Sequence, residues 1–140
     1  MEAIRLHYTV PGDDFTRAGE ASADLKSVLK KLGVSPTTVR KVSIALYEGE
    51  INLAIHAGGG DIDVEITDDA VHMCLSDQGP GIADLSLAMS EGYSTAPDEV
   101  RSLGFGAGMG LPNMKKYSDE FDIQSAVGVG TTVTMAVCLT

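Results

Sequence analysis

The stretch from Pro36 to Ala57, PTTVRKVSIALYEGEINLAIHA, constrains the chain more than any other. At about 100° per residue, Val39, Val42, Leu46 and Leu53 fall on one side of a helix, and Ile44, Ile51 and Ile55 on another. A helix apolar on two sides has to be covered on both, so it belongs inside a layered fold. Ser35 and Pro36 supply an N-cap and a first-turn residue, and Gly58-Gly59-Gly60 closes the run. Glu48 and Asn52 lie about 40° apart between the two apolar sides, which directs them into an interior cleft, with His56 one turn on. Glu50 points about 160° away from Glu48 and is expected to be solvated.

Around this helix the apolar period changes to two. In residues 3–10, Ile4, Leu6, Tyr8 and Val10 alternate with Arg5, His7 and Thr9, as a strand with one covered face requires. Pro11-Gly12-Asp13-Asp14 breaks that strand and offers a helix N-cap. The following FTRAGEASADLKSVLKKLG has helical spacing through Ala21, Leu25, Val28, Leu29 and Leu32, with two lysines in its last turn and Gly33 as a left-handed cap. Strands are expected near 61–67 and 70–77, turning at Asp68-Asp69, and near 120–127 and 131–139, turning at Gly128-Val129-Gly130. A short helix fits 111–118, with Pro112 in its first turn. Residues 83–107 are irregular and rich in Gly, Ser and Pro; a loop of that length in a compact domain is usually functional or mobile. At 140 residues the chain reads as one domain with a core that needs no staples.

The formal net charge of −10 repels phosphate backbones, which argues against nucleic acid as a partner and requires any phosphate site to be built locally. No run reaches the ~18 apolar residues of a membrane span. The start Met-Glu-Ala-Ile-Arg has neither the basic residues nor the apolar run of a signal peptide, so a cytoplasmic protein is expected. Cys74 and Cys138 fit no metal spacing and read as buried, reduced thiols.

Three segments carry chemistry. On the long helix, Glu48 suits acceptance of a hydroxyl proton and Asn52 offers a neutral oxygen to Mg²⁺; the plainer alternative is a Glu48 bridge to Arg40 or Lys41. Asp77 is in register with Val71, Met73 and Leu75, so its carboxylate points inward and needs donors. One reading is an Asx-turn at a strand end. The other is that Asp77 reads the exocyclic amino group of a flat ligand admitted over Gly79 and Gly81. Thr131, in phase with Val133, Met135, Val137 and Leu139, also faces inward. Finally, GFGAGMGLPNMKK spaces Gly104, Gly106, Gly108 and Gly110 ahead of a helix, a pattern that suits an anion. It is neither a P-loop nor a clean dinucleotide fingerprint, and a merely flexible loop is the alternative.

E-x-x-x-N on a helix, D-x-G-x-G after a strand, a G-x-G-rich loop before a helix, and GVGTTV (128–133), in that order, resemble the GHKL ATPase superfamily with its Bergerat ATP-binding fold. Within it the chain resembles the bacterial switch-protein serine/threonine kinases and anti-sigma factors of partner-switching systems. SDQGPGI, EGYST and GLPNMKKYSDEF look most like the stressosome switch kinase; EGEINLAIHA looks more like the anti-sigma factors. The resemblance implies an α+β, two-layer sandwich: a mixed, mostly antiparallel sheet, helices on one face, and an ATP lid at about 83–107. It implies ATP and Mg²⁺ as cofactors, with Glu48 as general base, Asn52 as metal ligand, and Asp77 as acceptor of the adenine amino group. Gly79 and Gly81 would form the adenine-side hinge, Gly104, Gly106, Gly108, Gly110 and Leu111 would wrap the phosphates, and Thr131 would hold adenine through water. The expected activity is phosphorylation of a STAS-type anti-sigma-factor antagonist, with a sigma factor or PP2C-type phosphatase as further partners, no membrane partner, and a homodimer through the first strand. The rival is an ATP-dependent binding module with little or no transfer. Two departures stand out: APDEVRSLGF lengthens the lid relative to the stressosome kinase, and Glu50 adds a second acid beside the motif.

Overall fold

A computed structural model of the chain describes residues 3–12, 19–56, 58–79 and 110–139. In chain order these form β1 (Ile4–Pro11), α1 (Glu20–Lys31), α2 (Pro36–His56), β2 (Gly59–Ile66), β3 (Ala70–Ser76), α3 (Gly110–Lys116), β4 (Glu120–Ala126) and β5 (Gly130–Cys138). The strands make one sheet in the order β1-β2-β3-β5-β4. Every pairing among them is antiparallel, so the α+β architecture stands and the sheet is wholly antiparallel among the described strands rather than mixed. The lid expected at 83–107 lies outside the described residues.

The helices cover one face. Leu25 and Leu29 of α1, Val42 and Leu46 of α2, and Ile62, Val71, Met73 and Val137 of the sheet make a single buried core. Both helix signals at the α1–α2 corner take the form their residues favour. Gly33, at φ 79°, closes α1: its N–H reaches Lys30 O at 3.1 Å and the Val34 N–H reaches Leu29 O at 3.1 Å. Ser35 then caps α2, its Oγ accepting from the Thr38 N–H at 3.4 Å.

The other end of α1 departs from the sequence reading in two respects. Its described start is Glu20, behind a left-handed Gly19 at φ 102° with no side-chain cap of its own; the expected caps Asp13 and Asp14 lie outside the described residues. The cap comes instead from Glu50 of α2, which is 2% exposed rather than solvated. Glu50 Oε2 accepts from the N–H groups of Gly19 (2.9 Å) and Ala21 (3.1 Å), and Oε1 from that of Ser22 (2.8 Å). The helical angle separating Glu50 from Glu48 is correct, but it turns Glu50 toward α1 instead of water. A helix start leaves unpaired N–H groups with partial positive charge, which is what a buried carboxylate needs.

The opposite sheet face is polar: Arg5, Glu65, His72, Ala136 and Glu120 stand in one row across the strands. Cys138 sits on this face, exposed, and Cys74 is half-buried. The buried-thiol expectation therefore fails for Cys138, which alternates with the core residues rather than joining them. Along β1, the Asp63 hydrogen bond to His7 Nδ1 (2.7 Å) holds that imidazole above its usual range.

Replacing Glu50 by Ala strands three N–H groups, two of them in buried bonds, and is expected to cost about 3 kcal/mol in urea unfolding. Glu65→Gln, on the exposed face, is expected to change stability by less than about 0.5 kcal/mol.

Candidate functional site

Asp77 follows directly on β3 and is locked to the start of β5. Its N–H donates to Thr131 O at 3.0 Å, and its Oδ1 accepts from the N–H groups of Gly79 (2.8 Å) and Thr131 (3.3 Å). The Gly79 contact is an Asx-turn, so the local reading of Asp77 is present in the molecule. It occupies Oδ1 alone: no described residue donates to Oδ2. Thr131 pairs across the β4–β5 ladder with Ser125, their hydroxyls 2.8 Å apart. Gly130, at φ 142°, makes this junction possible, because a Cβ there would lie 2.1 Å from Asp77 O.

The acid and the amide of α2 stand on its opposite flank from Glu50, against α3. Glu48 Oε1 accepts from Asn113 Nδ2 at 3.4 Å, and Asn52 Nδ2 donates to Met114 Sδ at 3.7 Å. Both α2 side chains are half-buried. The alternative bridge from Glu48 to Arg40 or Lys41 is not among the ion pairs of the described residues. Between them Gly49 sits flat on the sheet: a Cβ there would come within 2.3 Å of Leu75 Cδ2 and 3.3 Å of Met114 Cε. Leu75 is two residues before Asp77 on the same face of β3, so the α2 pair and Asp77 approach the same end of that strand. Tyr47, beside Glu48, has its phenol raised by burial and then by the Glu48 and Glu50 charges.

Of the other expected site residues, Gly79 is half-buried, Gly110 opens α3, and Leu111 is half-buried against the core. Gly81, Gly104, Gly106 and Gly108 lie outside the described residues, as does the side chain of His56. Lys115 and Lys116 are exposed. Sequence reasoning missed Asn113 and Met114, although a polar residue directly after a first-turn proline was a visible signal. Among the described residues no group of three His, Cys, Asp or Glu could hold a metal. The donor chemistry still fits Mg²⁺ of the kind that takes one or two protein oxygens and completes its shell with phosphates and water. The Asn52 amide, donating through Nδ2, has its Oδ1 left for such a cation.

Residues 13–137 match the family model described as a histidine kinase-like ATPase domain. The chain belongs to that family. It is 33% identical over 112 residues to the serine/threonine-protein kinase RsbT of Bacillus subtilis (strain 168), covering 77% of this chain and 78% of that one. It is also 33% identical over 108 residues to an anti-sigma F factor of Geobacillus stearothermophilus, covering 71% and 70%. Its fold matches about a third of the crystal structure of the RsbU and RsbW domains of Rv1364c from Mycobacterium tuberculosis, with a TM-score of 0.63 at 17% identity; the match spans 96% of this chain and 32% of that one. The fold likewise matches the mycobacterial sensor histidine kinase MprB, at a TM-score of 0.55 and 17% identity, over 96% and 97%. The expected superfamily and fold are therefore shown, and an ATPase domain of this kind binds ATP.

The Asp77–Thr131 junction predicts a contrast between two glycines of one hairpin. Gly130→Ala is expected to cost about 2–3 kcal/mol in thermal unfolding and to speed hydrogen exchange at the Asp77 amide, from clash and strain together. Gly128→Ala, at φ 78° with nothing within 4 Å, is expected to cost only about 1 kcal/mol.

Proposed function

We propose that this protein is an ATP-dependent serine/threonine kinase of a bacterial partner-switching system. The observation that carries the reading is the pairing of Glu48 and Asn52 on one flank of α2, in a chain whose relatives include a serine/threonine kinase. Its substrate is a STAS-type antagonist of an anti-sigma factor, with a sigma factor or PP2C-type phosphatase as a further partner. The protein acts in the cytoplasm, as a single domain with a lid at about 83–107. β1 is an edge of the sheet and suits the homodimer that the resemblance implies.

In this reading Asp77 Oδ2 accepts from the adenine amino group while Oδ1 stays bound to the backbone. Gly79 and Gly81 admit the base, Thr131 holds it through water, and Gly104, Gly106, Gly108, Gly110 and Leu111 enclose the phosphates. Asn52 would hold Mg²⁺ through Oδ1, and the ion supplies charge compensation for the phosphates when bound. Glu48 takes the proton from the partner hydroxyl. The hydroxyl oxygen forms a bond to the γ-phosphorus as the bond to the bridging β–γ oxygen breaks, and that electron pair leaves on ADP. A positioned base contributes on the order of 10²–10⁴-fold.

The anti-sigma F relatives, 27–33% identical, favour a second reading: ATP loading closes a grip on a partner, and transfer is slow or absent. Incubation with γ-labelled MgATP and a STAS-domain protein separates the two. The kinase reading expects label on a partner Ser or Thr, reduced at least 100-fold in Glu48→Gln with ATP affinity within about threefold of the parent. A tight ATP-dependent complex that never acquires label supports the binding module instead.

A further inference from the structure

Two consecutive residues of α3 reach the two functional side chains of α2: Asn113 donates to Glu48, and Met114 accepts from Asn52. We propose that α3 is the positioning element of the site, with Asn113 orienting the Glu48 carboxylate and Met114 orienting the Asn52 amide. This rests on the functional reading above and gives a role to two residues of the quoted GLPNMKK stretch to which neither the motif nor the resemblance had assigned one.

The chemistry of each contact is directional. A glutamate side chain has three rotatable bonds and two equivalent oxygens. Holding Oε1 on the Asn113 amide fixes the plane of the carboxylate and leaves Oε2, to which no described residue donates, to receive a proton. At 3.4 Å the bond is long; contacts of this kind are often loose before substrate is bound and tighten when it arrives. An asparagine amide presents either an oxygen or an NH₂ group in a given direction. The Met114 sulfur is an acceptor only, so it selects the NH₂ group and turns Oδ1 away from α3. Met114 is 1% exposed, so no water competes for that sulfur.

Both residues are firmly based. The carbonyl of Asn113 accepts from the Tyr117 N–H at 3.0 Å, and that of Met114 from the Ser118 hydroxyl at 2.7 Å. The chain beyond α3 is pinned to the sheet by the Asp119 N–H on Ala136 O at 2.8 Å. α3 begins at Gly110, so Asn113 and Met114 both lie near its start.

The test follows transfer of label from γ-labelled MgATP to a STAS-domain protein by the purified protein, with Asn113→Ala, Asn113→Asp, Met114→Leu, Glu48→Gln and the double variant Asn113→Ala/Glu48→Gln. Asn113→Ala is expected to lower kcat about tenfold with KM for ATP unchanged. In the double variant the further loss is expected to be less than about twofold, because Asn113 acts only through Glu48. Asn113→Asp keeps the shape, guards against a folding artefact, and is expected to lower kcat further by setting two carboxylates together. Met114→Leu, similar in volume, is expected to weaken Mg²⁺ dependence several-fold at fixed ATP while the thermal midpoint moves little. If Glu48→Gln lowers turnover but Asn113→Ala does not, or the two losses multiply, the positioning role is wrong and the kinase reading stands. If Glu48→Gln itself leaves turnover intact, the functional reading falls and this inference with it.

Discussion

A single turn of α2 meets three neighbours at once, and the molecule is arranged around it. Glu50 turns to α1, Gly49 lies on Leu75 of the sheet, and Glu48 and Asn52 face α3. The demanding member is Glu50, since a buried carboxylate without donors is not tolerated. Three backbone N–H groups at the start of α1 satisfy it, and in return an otherwise uncapped helix is capped. The exchange fixes the rotation of α2 about its own axis. Rotating α2 to move Glu48 would unseat Glu50, so a structural contact sets the aim of the functional face.

The sheet carries the second constraint. Asp77 divides its two oxygens between tasks: one belongs to the turn and to β5, and the other has no described donor. Because Oδ1 is held by two N–H groups, Oδ2 is not free to swing. Gly130 permits the close approach that makes this possible. The base-reading acid of the proposed site is therefore rigid before any ligand arrives, which lowers the ordering cost of binding.

Much of this was legible in the chain. Strict alternation in residues 3–10 and in 71–77 gave the strands, and the Asp68-Asp69 turn and the Gly33 cap fell where their residues demand. Strand ends differ from the expectation by at most one residue, except that β2 starts two residues early, at Gly59, where Gly59 and Gly60 pair with Pro11 and Val10 of β1. The placing of Glu50 was not legible, because its partners are backbone groups of a different helix and backbone donors have no letter in a sequence. The sequence offered Asp13-Asp14 as a cap for that helix, so nothing local pointed to Glu50, about thirty residues away. Cys138 was misread because residues 135–139 are apolar throughout; the phase of Val133, Met135 and Val137, applied to Thr131, places Cys138 on the other face. For Asp77 the two readings were set against each other; the geometry lets one carboxylate do both. The α3 contacts needed tertiary placement, since nothing local ties Asn113 to Glu48.

The account stands most directly on the selectivity of the Asp77 pocket for a purine bearing an amino group. Calorimetric titration with ATP and with inosine triphosphate, each with Mg²⁺, measures it. The two nucleotides differ in carrying an amino group or a carbonyl at the same ring position. ATP is expected to bind at least tenfold more tightly, because the carbonyl would face a fixed carboxylate oxygen. Equal affinity for the two would contradict the assignment of Asp77 and the site built around it.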